Sequence, residues 1–320
     1  MDSNSKIYVA GNTGLVGSAI IRMLKEKGFD NILSTPHSNW DLRNQEDVNR
    51  FFRINKPDYV FLAAAKVGGI GANSEQPADF IYDNLMIQTN IIDAAYRNGV
   101  KKLLFLGSSC IYPKFANQPI TEDQFMTSAL EPSNDAYAIS KIAGVKMCQA
   151  YRKQYGFNAI AVMPTNLYGP NDNFDKLNSH VLIALIRKIY NAKINNKKKI
   201  MIWGNGKPKR EFLHVDDFAK ACIKIMNFSK KKYLNLVTKQ HQFINIGFGQ
   251  DITINELTKL ISRVLKYKVK ILFDKSKLNG TYRKLIDSSK IKSTGWKPKI
   301  SLKDGILSTI NSLDKKSFKD

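Results

Sequence analysis

The sequence predicts an α/β fold, a doubly wound parallel sheet followed by a smaller C-terminal lobe. Three observations carry that expectation. Short apolar runs alternate with helix-period segments as far as about Asn171, the pattern of strands covered on both faces by helices. The first run leads straight into a glycine-rich turn and a helix, the order a nucleotide-binding βαβ unit needs. Beyond Asn171 the alternation weakens and lysine-rich connections appear.

Ile7-Tyr8-Val9-Ala10 reads as a buried strand. Gly11, Gly14 and Gly17 follow at three-residue spacing, ahead of a helix beginning around Ala19-Ile20. A second strand is expected near Asn31–Ser34. The next helix is capped by Asn44, buries Val48, Phe51 and Phe52, and ends at Pro57. Tyr59–Leu62 is the third strand. A helix over Asn84–Arg97 carries Leu85, Ile87, Ile91, Ile92 and Ala95, and the strand Lys102–Leu106 runs into Gly107-Ser108-Ser109-Cys110. A helix over Ala136–Tyr155 and a strand over Ala159–Met163 complete the alternation, and Ile244–Gly247 supplies one more strand of the same sheet. The expected division is a nucleotide-binding domain over 1–172, with a returning segment near 211–250, and a mainly substrate-binding lobe over 173–320.

Composition narrows the function classes. A hydrophobic share of 43% with 10% aromatics is that of a globular chain. No apolar signal stretch opens the sequence and no apolar run is long enough to span a bilayer, so a cytoplasmic protein is expected. Three cysteines, Cys110, Cys148 and Cys222, show no metal-type pairing, and the odd count argues against a disulfide scaffold. The net charge of +23 has two readings, a lysine-heavy surface or an anionic partner. The runs Lys197-Lys198-Lys199 and Lys230-Lys231-Lys232 lack interleaved aromatics, which favours the lysine-heavy surface, and the excess of positive charge still suits a polyanionic substrate.

Glycines between a strand and a helix let backbone N–H groups approach a pyrophosphate at the helix N-terminus. The GxxGxxG spacing resembles that of extended short-chain dehydrogenases. Ser34, Thr35, Pro36, His37 and Ser38 occupy the end of the second strand, where an NAD-selective enzyme carries an acid. NADP(H) is therefore the expected cofactor, although no arginine stands in that segment. Asp41-Leu42 resembles the pair these enzymes place beside the adenine.

Tyr137 and Lys141 lie one helical turn apart, so both project from one face. An ammonium near a phenol is expected to lower the phenol pKa toward neutrality. Ser108 stands at the C-terminal end of a parallel strand, where open α/β sheets build their sites. The presence of all three weighs against a merely scaffolding or regulatory member of the fold. Longer segments extend the resemblance. Ala63–Ile70, Gly107–Pro113, Pro164–Pro170 and Arg210–Asp217 are similar to the GDP-L-fucose synthases, over nearly the whole chain from Ile7 to about Ser312.

That resemblance implies 3,5-epimerisation and then 4-reduction of GDP-4-keto-6-deoxy-mannose. Tyr137 gives a proton to O4, Lys141 holds the nicotinamide ribose and Ser108 hydrogen-bonds O4, while Cys110 and His180 form the epimerising acid/base pair. It also implies cofactor contacts from Gly11, Gly14, Leu15, Val16, Gly17, Asp41, Leu42, Ala63, Lys141, Pro164, Asn166, Leu167 and His180. Lys188, Trp203 and Arg210 are implied at the GDP-sugar, and no metal is. A lone cysteine or tryptophan is more often a packing residue, and a lone histidine more often caps a turn. The alternative substrate is another GDP-4-keto sugar, such as a heptose. Asn279 departs from the acidic residue common in the family before Gly-Thr. A homodimer packed through the helices at 84–97 and 136–155 is expected.

Overall fold

The structure, a computed structural model, describes residues 1–33, 40–174, 179–276 and 281–313. The segment Ser34–Ser38, on which cofactor selection was read, lies outside the described residues, as do Asn178 and Asn279. In chain order the first half comprises β1 (Ile7–Ala10), α1 (Leu15–Lys25), β2 (Ile32–Leu33), α2 (Gln45–Asn55), β3 (Tyr59–Leu62), α3 (Ile70–Glu75), α4 (Pro77–Arg97), β4 (Lys102–Leu106), α5 (Asp135–Tyr155) and β5 (Ala159–Pro164). The second comprises β6 (Asn166–Tyr168), α6 (Val181–Ile194), β7 (Lys199–Trp203), β8 (Lys209–His214), α7 (Val215–Met226), α8 (Lys230–Leu236), β9 (Phe243–Ile246), β10 (Asp251–Thr253), α9 (Ile254–Val264), β11 (Lys270–Asp274), β12 (Arg283–Lys284), α10 (Ser289–Ser293) and α11 (Leu302–Asn311).

Among the described residues six strands form one parallel sheet in the order β2-β1-β3-β4-β5-β9. Side-chain alternation divides its core. Ile7, Val9, Leu104, Leu106, Ile160 and Val162 face the layer of α1 and α7. Tyr8, Ala10, Leu103, Phe105, Ala159 and Ala161 face the layer of α2, α4 and α5. Both sets are buried, which is why these strands read as unbroken apolar runs instead of alternating ones. Lys102 begins β4 in this interior. Its Nζ donates to the carbonyls of Ile225, Met226 and Phe228 at 3.0, 2.8 and 2.8 Å, capping the end of α7. Burial lowers its pKa to about 8.

The second lobe has its own core, built from Leu182, Ile186, Ile189, Leu257, Ile261 and their neighbours on α6 and α9. There β8 pairs in parallel with β6 and β12 and antiparallel with β10, while β7 and β11 form a separate parallel pair.

Two helix starts differ from expectation. α1 begins at Leu15 with Gly14 as its N-cap, because the glycines sit at a close approach of backbones and the helix tolerates them there. α4 begins at Pro77, well before Asn84: proline fits a first helical position and Phe80 is buried in the added turns. The α2 cap is as read, with Asn44 Oδ1 accepting from Glu46 N and Asp47 N at 2.9 and 3.2 Å.

Candidate active site

A cleft of about 700 Å³ opens at the C-terminal ends of β1, β3, β4 and β5. Strand order reverses between β1 and β3, so the cleft lies at the topological switch point of the sheet.

One end of the cleft is made of backbone. Gly11 has φ of +82°, and a Cβ there would stand 2.7 Å from the Ala64 amide nitrogen. A Cβ on Gly17 would collide with the Gly11 carbonyl oxygen, so neither position accepts a side chain. Gly14 N donates to Gly11 O at 3.1 Å and caps α1. Leu15, Val16, Asp41, Leu42 and Ala63 line this end, and Pro164, Asn166 and Leu167 line the far wall. Arg43, which the sequence reading passed over, also lines it. Its guanidinium hydrogen-bonds Asp41 at 2.9 Å, lowering that carboxyl's pKa, and reaches Asp83 at 3.2 Å. A helix N-terminus facing an unobstructed backbone turn fits a nucleotide cofactor with a pyrophosphate.

The other end carries the reactive side chains. Ser108, Cys110, Tyr137, Lys141 and His180 all line the same cleft. Ser108 caps a short 3₁₀ turn over Ser109–Ile111, its Oγ accepting from Cys110 N at 3.2 Å. Tyr137 lies against Phe80 edge-to-face, ring centroids 6.3 Å apart. Burial raises its pKa, the nearby Cys110 adds to the rise, and the Ser108 hydrogen bond pulls the other way. The expected lowering by Lys141 is therefore not found. Lys141 Nζ stands 5.8 Å from the Tyr137 ring centre and donates instead to Leu106 O at 3.2 Å. Burial lowers the Lys141 pKa to about 8. Tyr137 thus stands as a protonated acid. His180 caps α6 and opens onto the cleft, where the surrounding protein lowers its pKa.

Cys110 is half-buried between two donors: Asn134 Nδ2 lies 3.2 Å from its sulfur and Lys284 Nζ lies 3.7 Å away. Lys284 pairs in register with Arg210, which itself interacts electrostatically with Cys110. Burial lowers the pKa of Arg210. Lys188 and Trp203 do not line the cleft. They meet each other, Lys188 Nζ over the indole at 5.6 Å, on the second lobe.

Residues 7–238 match the NAD dependent epimerase/dehydratase family. The chain belongs to that family. GDP-L-fucose synthase 1 of Arabidopsis thaliana is 56% identical over 308 residues, spanning 96% of this chain and 93% of its own length. GDP-L-fucose synthase of Escherichia coli is 48% identical over 307 residues, 96% of each chain. Among solved structures, a GDP-D-glycero-L-gluco-heptose synthase from Campylobacter jejuni, crystallised in the presence of NADPH, superposes with a TM-score of 0.91. It is 39% identical and the match covers 98% of this chain and 99% of that one. The family is one of enzymes on the epimerase/dehydratase pattern of the nucleotide-binding fold, in accord with the parallel sheet and its glycine turn. Among the described residues no helix is long and apolar enough to cross a membrane, and no cluster of His, Cys, Asp or Glu could hold a metal ion.

Arg43, Asn134 and Lys284 were not found by sequence reasoning. Arg43 stands two residues from Asp41 and Asn134 three before Tyr137, so each had a neighbour that could have drawn attention to it. Lys284 had none. It reaches Cys110 through the pairing of β12 with β8, and no local pattern announces that pairing.

Proposed function

We propose that this chain is an NADPH-dependent 3,5-epimerase and 4-reductase that converts GDP-4-keto-6-deoxy-mannose to GDP-L-fucose. The single observation that carries the reading is that Cys110, Ser108 and Tyr137 share one cleft with the glycine turn. Identity of 56% and 48% to GDP-L-fucose synthases supports this substrate over a heptose, two of whose enzymes stand at 39% and 41%.

The cofactor supplies hydride to C4 when bound. Everything else falls to side chains of this chain. A ketone at C4 acidifies the protons at C3 and C5, and Cys110 and His180 take and return them. Asn134 and Lys284 offset charge that gathers on the Cys110 sulfur as its proton leaves. Charge appears on O4 first as an enolate and later as an alkoxide, so the Ser108 and Tyr137 hydroxyls serve both stages. Tyr137, held protonated by burial, gives its proton to O4 in the reduction, while the Lys141 ammonium would hold the ribose. Gly11–Gly17 and the α1 N-terminus receive the pyrophosphate. Lys188, Trp203 and Arg210 bind the GDP moiety from the second lobe. Residues 1–172 with a returning segment near 211–250 form the cofactor domain and 173–320 the bulk of the substrate lobe.

The test is incubation with GDP-4-keto-6-deoxy-mannose and either NADPH or NADH, with product stereochemistry read by NMR. The expected product is GDP-L-fucose, formed faster with NADPH; reduction without inversion at C3 and C5 rejects the epimerase. The free cysteines accord with a reducing cytosol. A two-fold dimer through α4 and α5 accords with Tyr82, Ile139 and Tyr155, large side chains exposed on those helices. A monomeric mass in light scattering at micromolar concentration overturns the dimer.

A further inference from the structure

Three oxygen atoms in the cleft wall have no hydrogen-bond partner although they are closed to solvent: Asn73 Oδ1, Asn134 Oδ1 and Asp172 Oδ2. Leaving a buried acceptor unmade costs more than most hydrogen bonds contribute, so three such atoms in one wall call for a common cause. The amide orientation of Asn73 is set by its nitrogen, which donates to Gly68 O at 2.9 Å and Gly69 O at 3.0 Å. That of Asn134 follows from its contact with the Cys110 sulfur. Asp172 uses Oδ1 for Asn173 N at 2.8 Å and leaves Oδ2 over.

These residues come from separate stretches of chain that touch. Ser74 Oγ donates to Ser133 O at 3.4 Å, bringing α3 against the residue before Asn134. A Cβ on Gly69 would stand 3.0 Å from Ser179 O, so the Gly68–Gly69 turn also abuts the residue before His180. The stretches of Asn73, Asn134 and His180 therefore meet at the end of the cleft that holds Cys110 and His180, not at the glycine turn, and Asp172 lines the same cleft.

All three unpaired atoms are acceptors. A phosphate, itself an array of anionic acceptors, is the wrong complement. A ring bearing several hydroxyl donors is the right one. Resting on the function proposed above, we infer that Asn73, Asn134 and Asp172 form an acceptor wall that reads the hydroxyl groups of the hexose. The same chemistry occurs in the cofactor's ribose. Asn134 favours the hexose, because its own nitrogen is on the Cys110 sulfur, which works at hexose carbons.

The test compares the affinity of the intact protein for GDP-mannose with its affinity for GDP, by calorimetry in the presence of NADP⁺. Wild type binds GDP-mannose more tightly, and Asp172→Ala and Asn134→Ala each remove about tenfold of that increment, the equivalent of one well-made hydrogen bond. Affinity for GDP and for NADPH alone stays within about twofold. Asp172→Asn, which keeps an acceptor, retains most of the increment. The inference is overturned if the increment is unchanged in both alanine variants, if wild type gains nothing from the hexose, or if NADPH affinity falls instead, which assigns the wall to the ribose. A protein that binds neither GDP nor GDP-mannose overturns the proposed function with it, whereas normal GDP binding and an unchanged increment reject the acceptor wall alone. Thermal melts of both variants within a few degrees of wild type separate these outcomes from misfolding, and Asn73, whose nitrogen latches a turn, is left intact.

Discussion

The two ends of the cleft are built in opposite ways. At the glycine end, seven consecutive positions from Gly11 to Gly17 supply the turn, the helix start and the close backbone approach. At the cysteine end, Ser108 and Cys110 follow β4, Asn134 and Tyr137 open α5, His180 caps α6 and Lys284 arrives on β12. The first is a backbone device, tolerant of sequence so long as certain side chains are missing. The second is a side-chain device whose members stand up to 176 residues apart, as Ser108 and Lys284 do. Local devices announce themselves as motifs; assembled ones do so only in part.

Within the assembled end the two chemistries should separate, and the largest effect comes from Tyr137→Phe. NADPH oxidation falls by about two to four orders of magnitude, the usual loss for a general acid. Deuterium from solvent still enters C3 and C5, as mass spectrometry of recovered sugar shows. Cys110→Ser does the reverse: exchange falls by about a hundredfold, because a hydroxyl is a poor substitute for a thiol, while hydride transfer survives. Exchange at the wild-type rate in that variant makes Cys110 a packing residue and collapses the distinction between the two chemistries.

Smaller effects sharpen the comparison. Lys284→Met slows exchange by roughly tenfold, the size expected for removing one nearby cation from a partly solvated site, and spares NADPH oxidation. Equal losses in both would place Lys284 in substrate binding. The smallest effect is a pH dependence. Burial favours the neutral amine of Lys141, so its ammonium is present below about pH 8 and lost above it. The kcat/KM for NADPH should therefore be halved near pH 8 and go on falling, since this parameter reports the free enzyme. A flat profile from pH 7 to 9 means Lys141 is not needed as a cation.

How much was legible follows the same line. The strands β1, β3, β4, β5 and β9 were readable because both faces are buried, so every residue is apolar or nearly so. The Asn44 cap and the Val48, Phe51, Phe52 face were readable because they are local. The start of α4 was not, since Asn73 to Asp79 is polar and only the position of Pro77 hints at a helix. The state of Tyr137 was misjudged because spacing placed Lys141 on its face but said nothing of the Leu106 carbonyl that takes the ammonium. Asp172 carries no motif at all; only its unpaired oxygen marks it.

The buried ammonium of Lys102 bears on the order in which the molecule can be completed. Its three acceptors lie at residues 225, 226 and 228, and the free edge of β5 waits for residues 243–246. A ribosome that has delivered only the first 172 residues has thus made a sheet with an open edge and a stranded interior charge. Both are settled only when some seventy further residues, including β7 and β8 of the other lobe, have emerged. The apparent first domain is therefore a late product of synthesis, and a chain cut between the lobes at residue 172 would be expected to aggregate before it folds.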